Sequence, residues 1–143
     1  MTTPKIEVKK DFNVSAEMIY EAWLDPKALK EFIKPGDIVE VPNPVVDPRV
    51  GGQFLFEMHV GENRLPHKGE YKILDKPSKI QFTWNSSNTN NEDSVVTIDI
   101  AKTSESSCSL TLTHELLPSL ESRNDHKGGW NNILKHLEGF SLR

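Results

Sequence analysis

Three histidines and two large aromatic donors set the chemical possibilities of this chain. His67, His114 and His126 have side chains that ordinarily titrate near neutral pH, so a cluster of them could work as general acid and base. Tyr71 and Trp84 each offer a flat apolar surface with one hydrogen-bond donor. Other chemistries find little support. His59 and His67 flank a turn, but no H-x-x-x-H pair, paired cysteines or fixed carboxylate partner accompanies them, so no metal site is expected. A phosphate loop, a nucleophile elbow and a Cys-His signature are all missing, and no cofactor is implied. Cys108 has no activating neighbour and reads as an inert thiol. The bland reading of the histidines is rim positions satisfied by water or carbonyls.

Whether these groups meet depends on the elements that carry them. Trp130, Ile133, Leu134, Leu137 and Phe140 recur at helical spacing and form one apolar stripe. Extended backward, the stripe takes in His126 and Arg123. That extension requires a helix starting near Ser119, with Gly128-Gly129 inside it at about 1 kcal/mol each relative to alanine. A helix starting at Gly129 is the simpler alternative.

The stripe must be covered, and most of the preceding chain alternates as strands do. Ile6, Val8 and Phe12 suggest a first strand. Ser15 and Asp25-Pro26 carry the start signals of two short helices. Ile38, Val39 and Val41 suggest another strand, and residues 45–52 a turn, where Asp47 and Arg49 could form an ion pair that pins Gly51-Gly52. Alternation then marks strands around Phe54 to Met58, Gly69 to Ile73, Ile80 to Trp84, Val95 to Ile100 and Leu110 to His114. Residues 86–93 (SSNTNNED) contain nothing to anchor them and are expected to be mobile. The order is strand, two helices, about six strands and a long helix, hence an α+β domain with an antiparallel sheet. If the larger side chains face the helix, the wall opposite it is Phe54, Phe56, Met58, Gly69, Tyr71, Phe82, Trp84, Leu110 and Leu112, joined by His67 and His114.

Composition narrows the partners. The 143 residues suit a single domain, and a formal charge of −4 gives no basic footprint for nucleic acid. No apolar run approaches a membrane span, and the lone cysteine fits a reducing compartment, so the expected location is cytoplasmic.

Three stretches in this order resemble a known family. Residues 14–26 (VSAEMIYEAWLDP) are similar to its opening helical pair, and 47–54 (DPRVGGQF) to its D-x-R-x-G-G turn. Residues 110–114 (LTLTH), followed by Gly129-Trp130 and the leucine-spaced helix, resemble its closing strand and helix. The family is the START-like, helix-grip superfamily (SRPBCC), in the branch named after the activator of the heat-shock-protein-ninety ATPase. The resemblance spans most of the chain, roughly 6–142, and implies a curved antiparallel sheet gripping the terminal helix around a deep cavity.

From it follow three expectations of function. The first is binding of a small apolar or amphipathic ligand in an enclosed cavity of several hundred Å3, about the usual size of such sites. Its walls would be Phe54, Phe56, Met58, His67, Tyr71, Phe82, Trp84, Leu112, His114, Arg123, His126, Trp130 and Leu134. The second is a co-chaperone or protein-interaction module acting on a heat-shock chaperone. It ranks lower here because the authentic activators resemble a longer architecture with an additional amino-terminal domain. The third is a polyketide cyclase- or dehydratase-like enzyme using His67, Tyr71, His114 or His126 for proton transfer. The family motifs are structural, so no catalytic residue is assigned.

Overall fold

The computed structural model describes residues 4–142. Strand β1 (Ile6–Phe12) is followed by helices α1 (Ala16–Ala22) and α2 (Pro26–Phe32). Six strands come next: β2 (Val45–Val46), β3 (Gln53–Val60), β4 (Asn63–Asp75), β5 (Lys79–Trp84), β6 (Ser94–Ser104) and β7 (Ser107–Glu115). Helix α3 (Leu120–Ser141) closes the domain. The sheet has seven strands in the order β1-β7-β6-β5-β4-β3-β2, and every neighbouring pair is antiparallel.

The helix starts follow from their caps. Ser15 Oγ accepts from the Met18 N–H, and Asp25 Oδ1 accepts from the Lys27 N–H with Pro26 in the first helical turn. Helix α3 begins at the cap Ser119, whose Oγ accepts from the Ser122 N–H, so Gly128 and Gly129 do lie inside it. Only one of them has a packing reason. A Cβ on Gly129 would come within 3.1 Å of Pro35 Cβ, whereas one on Gly128 would meet nothing within 4 Å.

The core lies between α3 and one face of the sheet, with α1 and α2 completing the cover. Alternating residues of β3, β5, β6 and β7 point into it, as a half-buried sheet requires.

Four expectations need correction. Residues 38–41 form no strand; Glu40 alone bridges to His59, and Ile38 is 77% exposed. The paired segment is instead Val45–Val46, expected as part of a turn, which aligns with Leu55 and Phe54. In β4 the register shifts between Tyr71 and Ile73, so Leu74, not Ile73, stands opposite the buried Ile80 and packs against the core. A bulge of this kind inserts a residue and breaks a simple two-residue alternation.

The fourth correction concerns residues 86–93, which are anchored. Ser86 caps a single 3-10 turn (Ser87–Thr89), and Thr89 is buried with its hydroxyl bonded to the carbonyls of Ser86 and Glu92. Ser122 on α3 donates its hydroxyl to the Asn88 carbonyl at 2.6 Å.

The glycine turn before β3 behaves as its sequence suggests. Gly51 has φ +86°, and a Cβ on Gly52 would collide with the Asp47 carbonyl oxygen. Arg49 Nε and Asp47 Oδ2 are 2.9 Å apart, but the pair is exposed and contributes little. Backbone bonds from Gly51 N–H to the Tyr71 carbonyl and from Tyr71 N–H to the Gly52 carbonyl hold the turn to β4.

Candidate functional site

Between α3 and the β3–β5 end of the sheet, large aromatic side chains meet directly. Phe54 stacks on Phe56 with ring centroids 4.7 Å apart and meets Phe82 edge-on at 5.2 Å. Trp84 lies 5.1 Å from Trp130 of the helix. Tyr71 packs 5.5 Å from Phe54, and Leu112 and Leu134 are buried. These residues share one interior as expected, but mostly they fill it. Among the described residues, the space left between helix and strands here is a partly open cavity of about 50 Å3, lined by Pro35, Met58, His67, Trp84, His126, Gly129, Trp130 and Ile133. That is far below the several hundred Å3 expected, and below the range of about 300–1,000 Å3 usual for ligand sites.

The three histidines have separate fates. His114 is fully buried, and both ring nitrogens are engaged. Trp130 donates its indole N–H to Nδ1 at 2.9 Å, so Nδ1 carries the lone pair and the proton sits on Nε2. Nε2–H then donates to Ser94 Oγ at 2.7 Å, and Ser94 donates to the Trp84 carbonyl at 2.6 Å. Burial, with the nearby His126 ring adding to it, lowers the His114 pKa to about 3. A neutral imidazole with no free nitrogen is a structural bracket between sheet and helix. The expectation that His114 serves as an acid or base is therefore corrected.

His67 and His126 differ from it. Each donates Nδ1–H to a backbone carbonyl: His67 to Leu65 at 2.9 Å and His126 to Ser122 at 2.8 Å. Because a carbonyl can only accept, each Nε2 keeps its lone pair. Burial lowers both pKa values, partly countered at His67 by the Leu65 and Phe56 carbonyls and at His126 by the Ser122 carbonyl and Asp125, so both rings are neutral at pH 7. Both rings line the small cavity.

Arg123 does not line it. The helical stripe carries Arg123 past the sheet, where Nε donates to the Lys5 carbonyl at 3.0 Å and Nη1 to Asn124 Oδ1 at 3.1 Å. Tyr71 lies in the aromatic wall, its hydroxyl pKa raised by burial and then by Asp47, so it stays protonated. Cys108 is buried, and burial likewise raises its pKa, in keeping with an inert thiol.

One polar group escaped sequence reasoning. Trp84 is 2% exposed, and its Nε1–H has no acceptor among the described residues. Trp23 shares that condition but is not part of the cavity wall. Nothing in the sequence distinguishes an indole that finds an acceptor, as Trp130 does, from one that does not. Among the described residues, no group of three or more His, Cys, Asp or Glu is arranged to hold a metal ion, and no helix is long and apolar enough to cross a membrane.

An antiparallel seven-stranded sheet closed by a long terminal helix, with two short helices after the first strand, is the helix-grip architecture of START-like domains. The family model for "Activator of Hsp90 ATPase homolog 1-like protein" matches residues 13–140, and the chain belongs to that family. Among solved structures, a protein from Chromobacterium violaceum is similar with a TM-score of 0.82 and 25% identity, over 94% of each chain. An HSP90 activator from Plasmodium falciparum has a TM-score of 0.76 and 25% identity, over 96% of each chain. A protein described as AHSA1 from Silicibacter pomeroyi has a TM-score of 0.81 and 23% identity, covering 97% of this chain and 98% of that one. No curated protein matches the sequence.

Proposed function

We propose that the protein is a chaperone-associated interaction module that acts on a heat-shock chaperone of the Hsp90 type. The observation that carries this reading is the filled interior. With about 50 Å3 between the helix and the aromatic strands among the described residues, this interior is too small to hold a whole ligand and the outer surface is left to bind a partner. Family membership supports it, as does the HSP90 activator from Plasmodium falciparum, which aligns over 96% of both chains. The likeness extends across a domain of this size, which supports the reading without calling on an additional domain. A cytoplasmic location goes with the proposal. Stimulation of the ATPase of a purified Hsp90 tests it: a dose-dependent rise in turnover is expected, and an unchanged rate at saturating protein would sink it.

One observation favours a second reading, in which the cavity holds part of a small molecule. Trp84 leaves an indole N–H unpartnered in a wall that also carries two imidazole acceptors. Met58, His67, Trp84, His126 and Trp130 would touch such a ligand, and Phe54, Phe56, Tyr71, Phe82, Leu112, His114 and Leu134 would stand behind them. Mass spectrometry of molecules that co-purify with the native protein tests this: a recurrent, stoichiometric small molecule supports it, and a bare protein counts against it.

A further inference from the structure

Strand β1 is an edge of the sheet. β7 pairs with one side of it, and among the described residues no strand pairs with the other. The opposite edge is blunted, because β2 is two residues long and Glu40 bridges to His59 beyond it. An edge strand turns alternate N–H and C=O groups outward, and a free run of them is a template for another strand. Charge is one usual protection of such an edge. Here Lys5, just before β1, and Glu7, Lys9 and Asp11 within it are all exposed.

The rest of the sheet does not answer these charges. Opposite Glu7, Lys9 and Asp11 on β7 stand Thr113, Thr111 and Ser109, all neutral. Lys9 Nζ and Glu7 Oε1 lie 3.9 Å apart along the same strand, with both side chains more than half exposed. The order of the charges does match the same strand run in reverse. About a two-fold axis at Val8, antiparallel pairing sets Glu7 against Lys9 of a second copy, and Lys5 against Asp11. Each pair occurs twice, so opposite charges face each other all along the exposed side. Opposite charges across a strand pair stabilise it, and like charges directly opposite destabilise it.

Other registers lose this match. A slip of two residues is the least that keeps the apolar side chains on the core face. In one direction it sets Glu7 against Glu7 and Lys5 against Lys9; in the other, Lys9 against Lys9 and Glu7 against Asp11. The inner side agrees with the register at Val8. Lys10, the inward charge of β1, already has Glu138 of α3 at 3.5 Å, and Arg123 near the other end of α3 holds the Lys5 carbonyl. The axis that sets Lys5 against Asp11 therefore brings Arg123 of one helix to the end of the junction where Glu138 of the other sits, again opposite in sign.

We propose that β1 pairs with β1 of a second copy of this chain, antiparallel about Val8, joining two seven-stranded sheets into one continuous sheet in a homodimer.

Sedimentation equilibrium at up to about 1 mM protein tests this. The unaltered chain is expected to show a reversible dimer. Glu7→Lys sets like charges face to face on both sides of the axis and should weaken the dimer at least about tenfold. Glu7→Lys combined with Lys9→Glu restores opposite signs at the same positions without changing net charge, and should recover the dimer. A chain that stays monomeric throughout overturns the proposal and leaves the edge to an extended segment of another protein. A dimer that ignores Glu7→Lys, or that the double exchange fails to restore, also overturns it and places the interface elsewhere. Amide hydrogen exchange on the unaltered chain gives a reading that depends on no variant folding. Outward amides of β1 should exchange more slowly as the dimer forms, and an unchanged rate in a dimeric sample would contradict the pairing.

Discussion

The indole N–H of Trp130, halfway along α3, donates to Nδ1 of His114 near the end of β7 at 2.9 Å, with both residues buried. The bond fixes the depth at which the helix sits, because His114 is itself held through Ser94 to the backbone of β5. Trp130→Phe keeps an aromatic ring but strands Nδ1 without a donor. Leaving a buried acceptor unsatisfied costs about 1–3 kcal/mol, and the smaller ring loses contacts besides. Urea unfolding should show a free energy of unfolding lowered by that amount, read as a lower midpoint at an unchanged slope.

The same histidine makes stability depend on pH. In the unfolded chain His114 titrates near its model value of 6.5, and in the folded protein at about 3. Between those values the unfolded state binds more protons, so stability rises with pH. Its contribution is complete above about pH 6.5 and is lost as pH falls toward 3. His67 and His126 are also lowered and act in the same direction. Calorimetry from pH 7.5 down to 4.5 should record a steadily falling Tm. His126→Gln should flatten part of that decline; an identical slope would contradict the assignment.

Gly128 and Gly129 predict opposite responses to one substitution. At Gly128 an added Cβ meets nothing within 4 Å, so Gly128→Ala should gain about 1 kcal/mol from helix propensity. At Gly129 the new methyl group would press on Pro35 at 3.1 Å, which should cancel or reverse that gain. Parallel thermal melts of the two variants check the pair, and equal stabilisation would contradict the packing described for Gly129.

Ser122 joins the first turn of α3 to the polar loop through the Asn88 carbonyl. Ser122→Ala should cost about 1 kcal/mol and loosen that loop selectively. Amide hydrogen exchange should accelerate across 86–93 while β6 and β7 keep their protection.

Much of this architecture was legible because it rests on periodicity and caps. Trp130, Ile133, Leu134 and Leu137 all face inward, and Ser119 marks the helix start that brings His126 onto the same face. Arg123 shows where periodicity stops informing. It obeys the stripe, but the sheet ends before it, and its guanidinium turns to the Lys5 carbonyl at the β1 edge. Thr89 shows another limit. The anchorage of its loop comes from side-chain bonds to backbone carbonyls, which composition does not reveal. The filling of the cavity was hidden for a third reason. Whether Phe54, Phe56, Phe82 and Trp84 line a space or occupy it depends on sheet curvature and register, and the β4 bulge alters both.

The pairing of β1 with β7 has a consequence for the order of assembly during synthesis. The hairpins β3–β4, β4–β5, β5–β6 and β6–β7 join neighbours in the chain and can close as each emerges from the ribosome. Strand β1 is made first but must wait for residues about a hundred positions later, since Ile6 pairs with His114 and Phe12 with Cys108. Such a long loop makes closure slow relative to local contacts. Until β7 is complete, the apolar side chains of Ile6, Val8 and Phe12 have no sheet to join. The nascent domain therefore carries an uncovered strand until β7 has emerged, and only then can the grip close.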